Sequence, residues 1–203
     1  MPWLVLTDEP EDFADLGVCA IRHRATGPMA VDYLRRLPST GSGAAAYHDK
    51  RFALRAALTN FDTAVYLDAD SRIPDLPALE FPPGMAVYSE ARRNIEEHLS
   101  VYGPWRKGIF EELAKHFYGD TEMLHIAKWC PENIIAISKD GRESIFFDAW
   151  EEGARFLQSR GVYSGEGGVI GLAAARAGWS VNYDALQPLA LAIQHEGGGP
   201  KEK

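Results

Sequence analysis

The chain has 203 residues, of which 46% are hydrophobic and 25% charged, a composition typical of a soluble globular protein. This length supports one domain with a sizeable core. The formal net charge is −8, which argues against broad binding to nucleic acid or to an anionic membrane, because both need basic surface. A small phosphorylated ligand remains compatible with that charge, since it needs only a local pocket of positive potential.

The predicted strands and helices alternate, which indicates a three-layer α/β fold formed by a single domain over residues 1–203. The stretch 196–203 is Gly-rich and charged, and we expect a mobile tail that closes over a ligand. In the first part of the chain, the pattern predicts strands at 3–7 and 17–21, helices at 28–37 and 44–58, and strands at 63–67 and 85–89. Residues 91–124 are predicted to be mostly helical, with a break at 103–104. A strand at 133–138, helices at 142–160 and 166–177, and a last strand at 179–183 are expected to follow.

The cysteines and the start of the chain bear on its compartment. Cys19 and Cys130 stand in no metal-binding or redox motif, so we expect two reduced thiols. The first residues lack the basic start and the long apolar stretch of a signal peptide, and no segment has the apolar length of a membrane span. We therefore expect a cytoplasmic protein with no membrane span.

The most informative stretch is the apolar run 64–67, which ends in two aspartates, Asp68 and Asp70. Side chains alternate along a strand, so these two carboxylates point the same way. Like charges repel unless a cation lies between them, and Mg²⁺ or Mn²⁺ commonly joins protein carboxylates to a diphosphate. The alternative is that the aspartates form a turn after the strand.

Two further groups of residues could act with this pair. Lys50 and Arg51 lie on the helix before the strand, and consecutive elements pack as neighbours, so either residue could reach a phosphate or a carboxylate. The alternative is a solvated helix face, which the spacing alone slightly favours. Near the C-terminus, His195 could ligate a divalent ion, the glycines at 197–199 could approach phosphate oxygens, and Lys201 could neutralise a diphosphate.

Together these motifs resemble those of the GT-A fold nucleotide-sugar glycosyltransferases, most closely the glycogenin and lipopolysaccharide galactosyltransferase family, which is glycosyltransferase family 8. That family carries an arginine in a Y-x-R-L helix, a Y-L-D-x-D strand and a C-terminal H-x-x-G-x-x-K motif. In this chain, Arg51-Phe52 is similar to the first motif, residues 66–70 match the second, and His195, Gly198 and Lys201 match the third.

The resemblance implies a GT-A fold, a three-layer α/β/α arrangement with a mixed central sheet. It implies that Asp68, Asp70 and His195 hold Mn²⁺ or Mg²⁺. It also implies that Gly198 and Lys201 contact the diphosphate of the donor, and that Arg51, with Lys50 beside it, contacts the donor. The expected reaction is transfer of a sugar from a nucleoside diphosphate sugar, with UDP as the expected nucleotide, to the hydroxyl of a saccharide or other acceptor, with retention of anomeric configuration.

The N-terminal half is shorter than in that family, and its D-Q-D stretch is replaced by residues 164–168. Glu166 is the one ionisable side chain in that replacement, so it joins Asp70 as a catalytic candidate, either as a base or as a stabiliser of the oxocarbenium-like state. The alternative role for Glu166 is a carboxylate at a helix N-terminus. Residues 4–8 resemble the family's first strand, so Thr7 and Asp8 are expected to meet the base or ribose.

Acceptor recognition is expected between residues 88 and 129, where Tyr102, Trp105 and Trp129 could stack on sugar rings, although core packing is the alternative for them. Two other functions stay open. A non-catalytic module would bind the nucleotide sugar without turnover. A phosphatase of the haloacid dehalogenase type also uses D-x-D after a strand, but Arg72 stands where its signature requires Thr or Val.

Overall fold

A computed structural model describes residues 3–7, 9–22, 48–68, 71–73, 77–162 and 164–195. The side chains of residues 6, 7, 194 and 195 are not among the described parts. The predicted helix at 28–37 lies outside the described residues, as do Asp8, Asp70, Gly198 and Lys201.

The described residues form a mixed helix and strand structure, as expected for the α/β class. The helices are α1 (Lys50–Asn60), α2 (Ile95–Tyr102), α3 (Lys107–Tyr118), α4 (Met123–Ile126), α5 (Glu143–Ser159), α6 (Glu166–Arg176) and α7 (Gln187–Ala192), with 3₁₀ helices at Pro10–Leu16 and Pro104–Arg106. The strands are β1 (Leu4–Thr7), β2 (Cys19–Arg22), β3 (Thr63–Leu67), β4 (Ser71–Arg72), β5 (Gly84–Val87), β6 (Ile134–Ser138) and β7 (Gln194–His195).

These strands form three small sheets. The strands β1 and β2 pair in parallel, and β4 pairs with β7 in antiparallel fashion. The third sheet is antiparallel throughout, with β6 between β3 and β5. In that sheet the carboxyl ends of β3 and β5 lie beside the start of β6, because antiparallel neighbours run in opposite directions. Chain segments that leave this edge are therefore brought together.

The helix α1 and the strand β3 form a compact unit that aligns one end of each. The helix ends at Asn60, and the Phe61 N–H donates to the Ala57 carbonyl before the chain turns into β3. Eleven helical residues span about 16 Å, and five strand residues span about the same length. The first residue of α1, Lys50, is therefore level with the end of β3.

The core is built around α5 and α6, which pack closely against each other. The helix α5 buries a face that includes Phe146, Trp150 and Leu157, spaced as expected for an amphipathic helix. The helix α6 is buried along most of its length and is made largely of glycine and alanine. A Cβ added at Gly153 of α5 would lie 2.6 Å from the Val169 side chain of α6, so a glycine is needed for this approach.

Most predicted elements are confirmed within one to three residues where the structure describes them, and β3 has the predicted bounds. The last predicted strand, at 179–183, is much shorter than expected, although Asn182 does pair in parallel with β5. Residues 179–183 form only a single bridge, between Ala86 and Asn182, and α7 and β7 follow where no element was expected. No helix among the described residues has both the length and the apolar character required to span a membrane.

Candidate functional site

A buried lysine lies at the centre of a charged cluster where α1, β3, β6 and α6 meet. The Lys50 Nζ lies 3.1 Å from the Asp68 Oδ1 and 3.4 Å from the Glu166 Oε1, and it donates to the Glu132 carbonyl oxygen at 3.0 Å. The Lys50 side chain is only 8% exposed. A buried ammonium requires such partners, so the cluster holds the starts of α1 and α6 against the sheet edge.

The spacing in the sequence slightly favoured a solvated helix face for Lys50 and Arg51, and this expectation is wrong. Both side chains are buried, because α1 packs against both β3 and α5. Arg51 contacts a different environment from Lys50. Its Nη1 lies 3.6 Å from the Asp49 Oδ1 and donates to the His48 carbonyl, and its guanidinium stacks on the Phe52 ring. Contact of Arg51 with a donor stays a prediction.

Asp68 directly follows β3 and is held in place by two neighbours. Its N–H donates to the Asn133 carbonyl at 3.1 Å, which extends the pairing of β3 with β6 by one step. The Tyr66 hydroxyl donates to the Asp68 Oδ1 at 3.1 Å, as expected for two residues on one face of an extended strand. Within the described residues, both Lys50 and Tyr66 contact Oδ1, so Oδ2 is left for a ligand.

Glu166, the first residue of α6, is buried and lies near a second, half-buried carboxyl group, that of Glu132. The Gly167 N–H donates to the Glu132 Oε1 at 2.9 Å, so this carboxylate caps the start of α6. Burial, and then the charge of Glu132, raise the pKa of Glu166 to about 8 against the attraction of Lys50. Burial also raises the pKa of Glu132. Near neutral pH the two carboxyls therefore hold at least one proton between them.

We predict that this buried carboxyl makes the stability of the protein depend on pH. The unfolded Glu166 ionises near its ordinary pKa of 4.5, while the folded group keeps its proton until about pH 8. Stability from this group is complete below pH 4.5 and declines as the pH rises to 8, because the folded state then binds more protons than the unfolded state. The measurement is urea unfolding of the protein and of Glu166→Gln at pH 5 and pH 8.5.

Between pH 5 and pH 8.5, the unchanged protein should lose more than about 1 kcal/mol of unfolding free energy relative to Glu166→Gln. The size follows because one pKa unit corresponds to about 1.4 kcal/mol. Glu112→Gln provides a matched control, because Glu112 is exposed and its ion-pair partner among the described residues is Arg160 at 2.8 Å. The same pH dependence for all three proteins would contradict the assignment.

The pairing of β4 with β7 brings together two distant parts of the sequence. Ser71 pairs with His195, and Arg72 pairs with Gln194. The Ser71 N–H also donates to the Asp68 carbonyl at 3.0 Å. The backbone of His195 thus lies beside the segment that carries the D-x-D motif. Sequence reasoning had selected His195 but not the strand that holds it, since a two-residue strand has no hydropathy period.

The other predicted site residues are only partly placed. Thr7 ends β1, whose partner is β2, and its side chain is not described. Asp8, Asp70, Gly198 and Lys201 stay predictions, because they lie outside the described residues. Among the described residues no group of three or more His, Cys, Asp or Glu side chains is arranged to hold a metal ion.

Two residues of this region were missed by the sequence analysis. Glu132 precedes an apolar strand, and that position was its only signal. Arg106 is buried, with its guanidinium over the rings of Trp105 and Trp129 at 5.4 and 5.6 Å. Its Nε has no hydrogen-bond partner, and no carboxylate of the described residues forms an ion pair with it. The charges of Glu132 and Glu166 nevertheless act on Arg106 and partly offset the effect of burial, which lowers its pKa.

An open cavity of about 250 Å³ adjoins the cluster through Glu132. Its other lining residues come from the segments after β5, from α2 and from the segment before β6, namely Ser89, Ala91, Arg93, His98, Trp129 and Pro131. The cluster and the cavity therefore share one edge of the three-stranded sheet.

Comparison of the chain with protein-family models and with curated protein sequences finds no match. The function must therefore be argued from the chemistry of this region.

Proposed function

We propose that this protein is a GT-A fold glycosyltransferase that depends on a divalent cation. It transfers a sugar from a nucleoside diphosphate sugar, with UDP as the expected nucleotide, to the hydroxyl of an acceptor. The observation that carries the proposal is the pairing of Ser71 with His195. It brings the backbone of the C-terminal histidine beside the D-x-D segment, which supports a joint role for two motifs that are far apart in the chain.

The donor atoms of this region suit a hard divalent ion. Asp68 has one carboxylate oxygen held by Lys50 and Tyr66 and a second that is left for a ligand. Carboxylate oxygens, with one imidazole nitrogen, are a donor set that Mn²⁺ accepts. In the proposal, Asp68, Asp70 and His195 hold the ion. When bound, it supplies positive charge that stabilises the departing diphosphate.

The other residues of the proposed site have separate roles. Lys50 fixes Asp68 through Oδ1 and restrains its rotation. Lys201 and the backbone of Gly198 add positive potential for the diphosphate. Glu166 is the carboxyl that can accept the proton of the attacking hydroxyl, because Lys50 stabilises its ionised form while burial opposes it. A pKa of about 8 leaves Glu166 mainly protonated at neutral pH, so only its ionised fraction acts as the base and the transfer should speed up as the pH rises towards 8.

The proposal predicts that Asp70→Asn abolishes binding of UDP in the presence of Mn²⁺, because the substitution removes a charged oxygen ligand. Isothermal titration calorimetry with UDP and Mn²⁺ measures this. Asp62→Asn is a matched control, since Asp62 is 99% exposed and its one described partner is Lys139. The control should bind like the unchanged protein.

Two results would contradict the proposal. If Asp70→Asn bound UDP with unchanged affinity, the assignment of Asp70 as a metal ligand would be wrong. If the unchanged protein did not bind UDP with Mn²⁺, the assignment of UDP as the nucleotide of the donor would be wrong. A parallel assay follows release of UDP from UDP-glucose and UDP-galactose. Binding without release from either donor would favour the non-catalytic module instead.

A further inference from the structure

Two aromatic rings, those of His98 and the buried Trp129, line the cavity beside Glu132. The His98 ring stacks on Trp129 with a centroid distance of 3.6 Å, and Tyr102 lies 5.0 Å from His98. The Tyr102 side chain is 58% exposed and that of Trp105 is 66% exposed. The exposed ring of Tyr102, beside His98, provides apolar surface of the kind on which the C–H face of a sugar ring packs.

Among the described residues, the cationic side chain that lines this cavity is that of Arg93. Arg93 lines it and lies over the Tyr102 ring at 5.3 Å, and no carboxylate of the described chain forms an ion pair with it. Burial, and then the charges of Arg106 and Arg93, lower the pKa of His98 to about 4, so both guanidinium groups act on this ring. Glu132 is the only acidic residue in the lining, and burial raises its pKa.

The neighbouring arginine, Arg92, differs from Arg93 in its contacts. Arg92 forms an ion pair with Asp184 and lies over the Tyr183 ring, and it is not part of the cavity lining. One of two adjacent arginines is thus neutralised by the protein, while the other presents its charge to the cavity. A guanidinium in such a position can bind a ligand carboxylate through a charge-assisted hydrogen bond.

We propose that this cavity binds the acceptor, and that the acceptor is a saccharide with a carboxylate group, such as a uronic acid residue. Arg93 binds the carboxylate, the rings of His98 and Tyr102 contact the sugar face, and the cavity brings the ligand next to Glu132. This inference rests on the proposed function and specifies the substrate class of that same site.

Saturation-transfer NMR can test the assignment with four probes, the methyl glycosides of glucuronic acid, galacturonic acid, glucose and galactose. The experiment uses the full chain with diamagnetic Mg²⁺, first without UDP and then with UDP added. At least one uronide should show a lower Kd than its neutral counterpart. Arg93→Gln should raise that Kd by about tenfold, as expected for loss of one charge-assisted hydrogen bond, while Arg92→Gln should stay within about twofold.

Ala91→Trp provides a second, independent variant, because Ala91 is exposed and lines the cavity, so a large ring there should block it without loss of the fold. It should abolish the uronide signal. Equal affinity for acidic and neutral glycosides, or equal effects of the two arginine substitutions, would overturn the inference.

Displacement of the uronide by UDP would also overturn it, since the cavity would then belong to the donor. Binding of UDP with Mn²⁺ but of no uronide would remove this inference and leave the proposed function standing. Binding of a uronide without any binding of UDP would remove both the donor and the acceptor role.

Discussion

Replacement of Gly171 with alanine is expected to destabilise the protein by more than about 3 kcal/mol. A Cβ at this position in α6 would lie 1.9 Å from the Lys128 carbonyl oxygen and 3.0 Å from its carbonyl carbon. Both atoms belong to the backbone, so rotation of a side chain cannot relieve the overlap. Either α6 or the segment 128–132 must move. Urea unfolding followed by far-UV circular dichroism measures the change.

Gly108→Ala is the matched control for this substitution. Gly108 is an exposed glycine in α3, and a Cβ there would meet no atom within 4 Å. Alanine favours the helix relative to glycine, so this variant should be stabilised by up to about 1 kcal/mol. If the two substitutions changed the free energy of unfolding by similar amounts, the close packing of α6 on the segment 128–132 would be wrong.

The same substitution should also disturb the candidate site. The segment 128–132 carries Trp129 of the cavity and Glu132, whose carboxylate accepts the Gly167 N–H. A shift of this segment therefore separates Glu132 from α6. We expect Gly171→Ala to lose uronide binding even under conditions in which it stays folded.

Replacement of Lys50 with methionine is expected to cost about 3 kcal/mol of stability at pH 9, because it leaves buried carboxylates without their cation. Methionine has a similar length and fills the same space. The loss should be smaller at pH 6, since the pKa of Glu166 is about 8 and this carboxyl then carries a proton. Urea unfolding of the protein and of Lys50→Met at pH 9 and pH 6 measures the loss of unfolding free energy at each pH.

Lys139→Met tests whether this effect is specific to the buried cluster. Lys139 pairs with Asp62 at 3.6 Å on the surface, and both side chains are exposed. Exposed pairs contribute little, so the control should change stability by less than about 0.5 kcal/mol at either pH. A loss for Lys50→Met that is the same at pH 6 and pH 9 would show that Glu166 does not titrate next to Lys50.

Most of the local structure follows from the sequence, because a helical hydropathy period marks α5, apolar runs mark β3 and β6, and a run of small residues closed by Gly178 marks α6. The short strands β4 and β7 could not be predicted, since two residues carry no period and their pairing depends on tertiary contacts.

The candidate site was predictable only in part, for a related reason. Asp68 and Glu166 stood out because each is a carboxylate at the end of an apolar or glycine-rich pattern. Lys50 was selected, but its burial depends on how α1 packs against β3 and α5. Glu132 and Arg106 were missed because their roles arise only when the starts of β6 and α6 meet.

The charged cluster combines Lys50 and Asp68 with Glu132 and Glu166, which lie more than 60 residues further along the chain. A peptide that covers only residues 48–72 would carry Lys50 and Asp68 without Glu132 and Glu166. The unusual proton affinity of Glu166 is thus a property of the assembled tertiary structure, and an NMR titration of that carboxyl reports whether long-range assembly is complete.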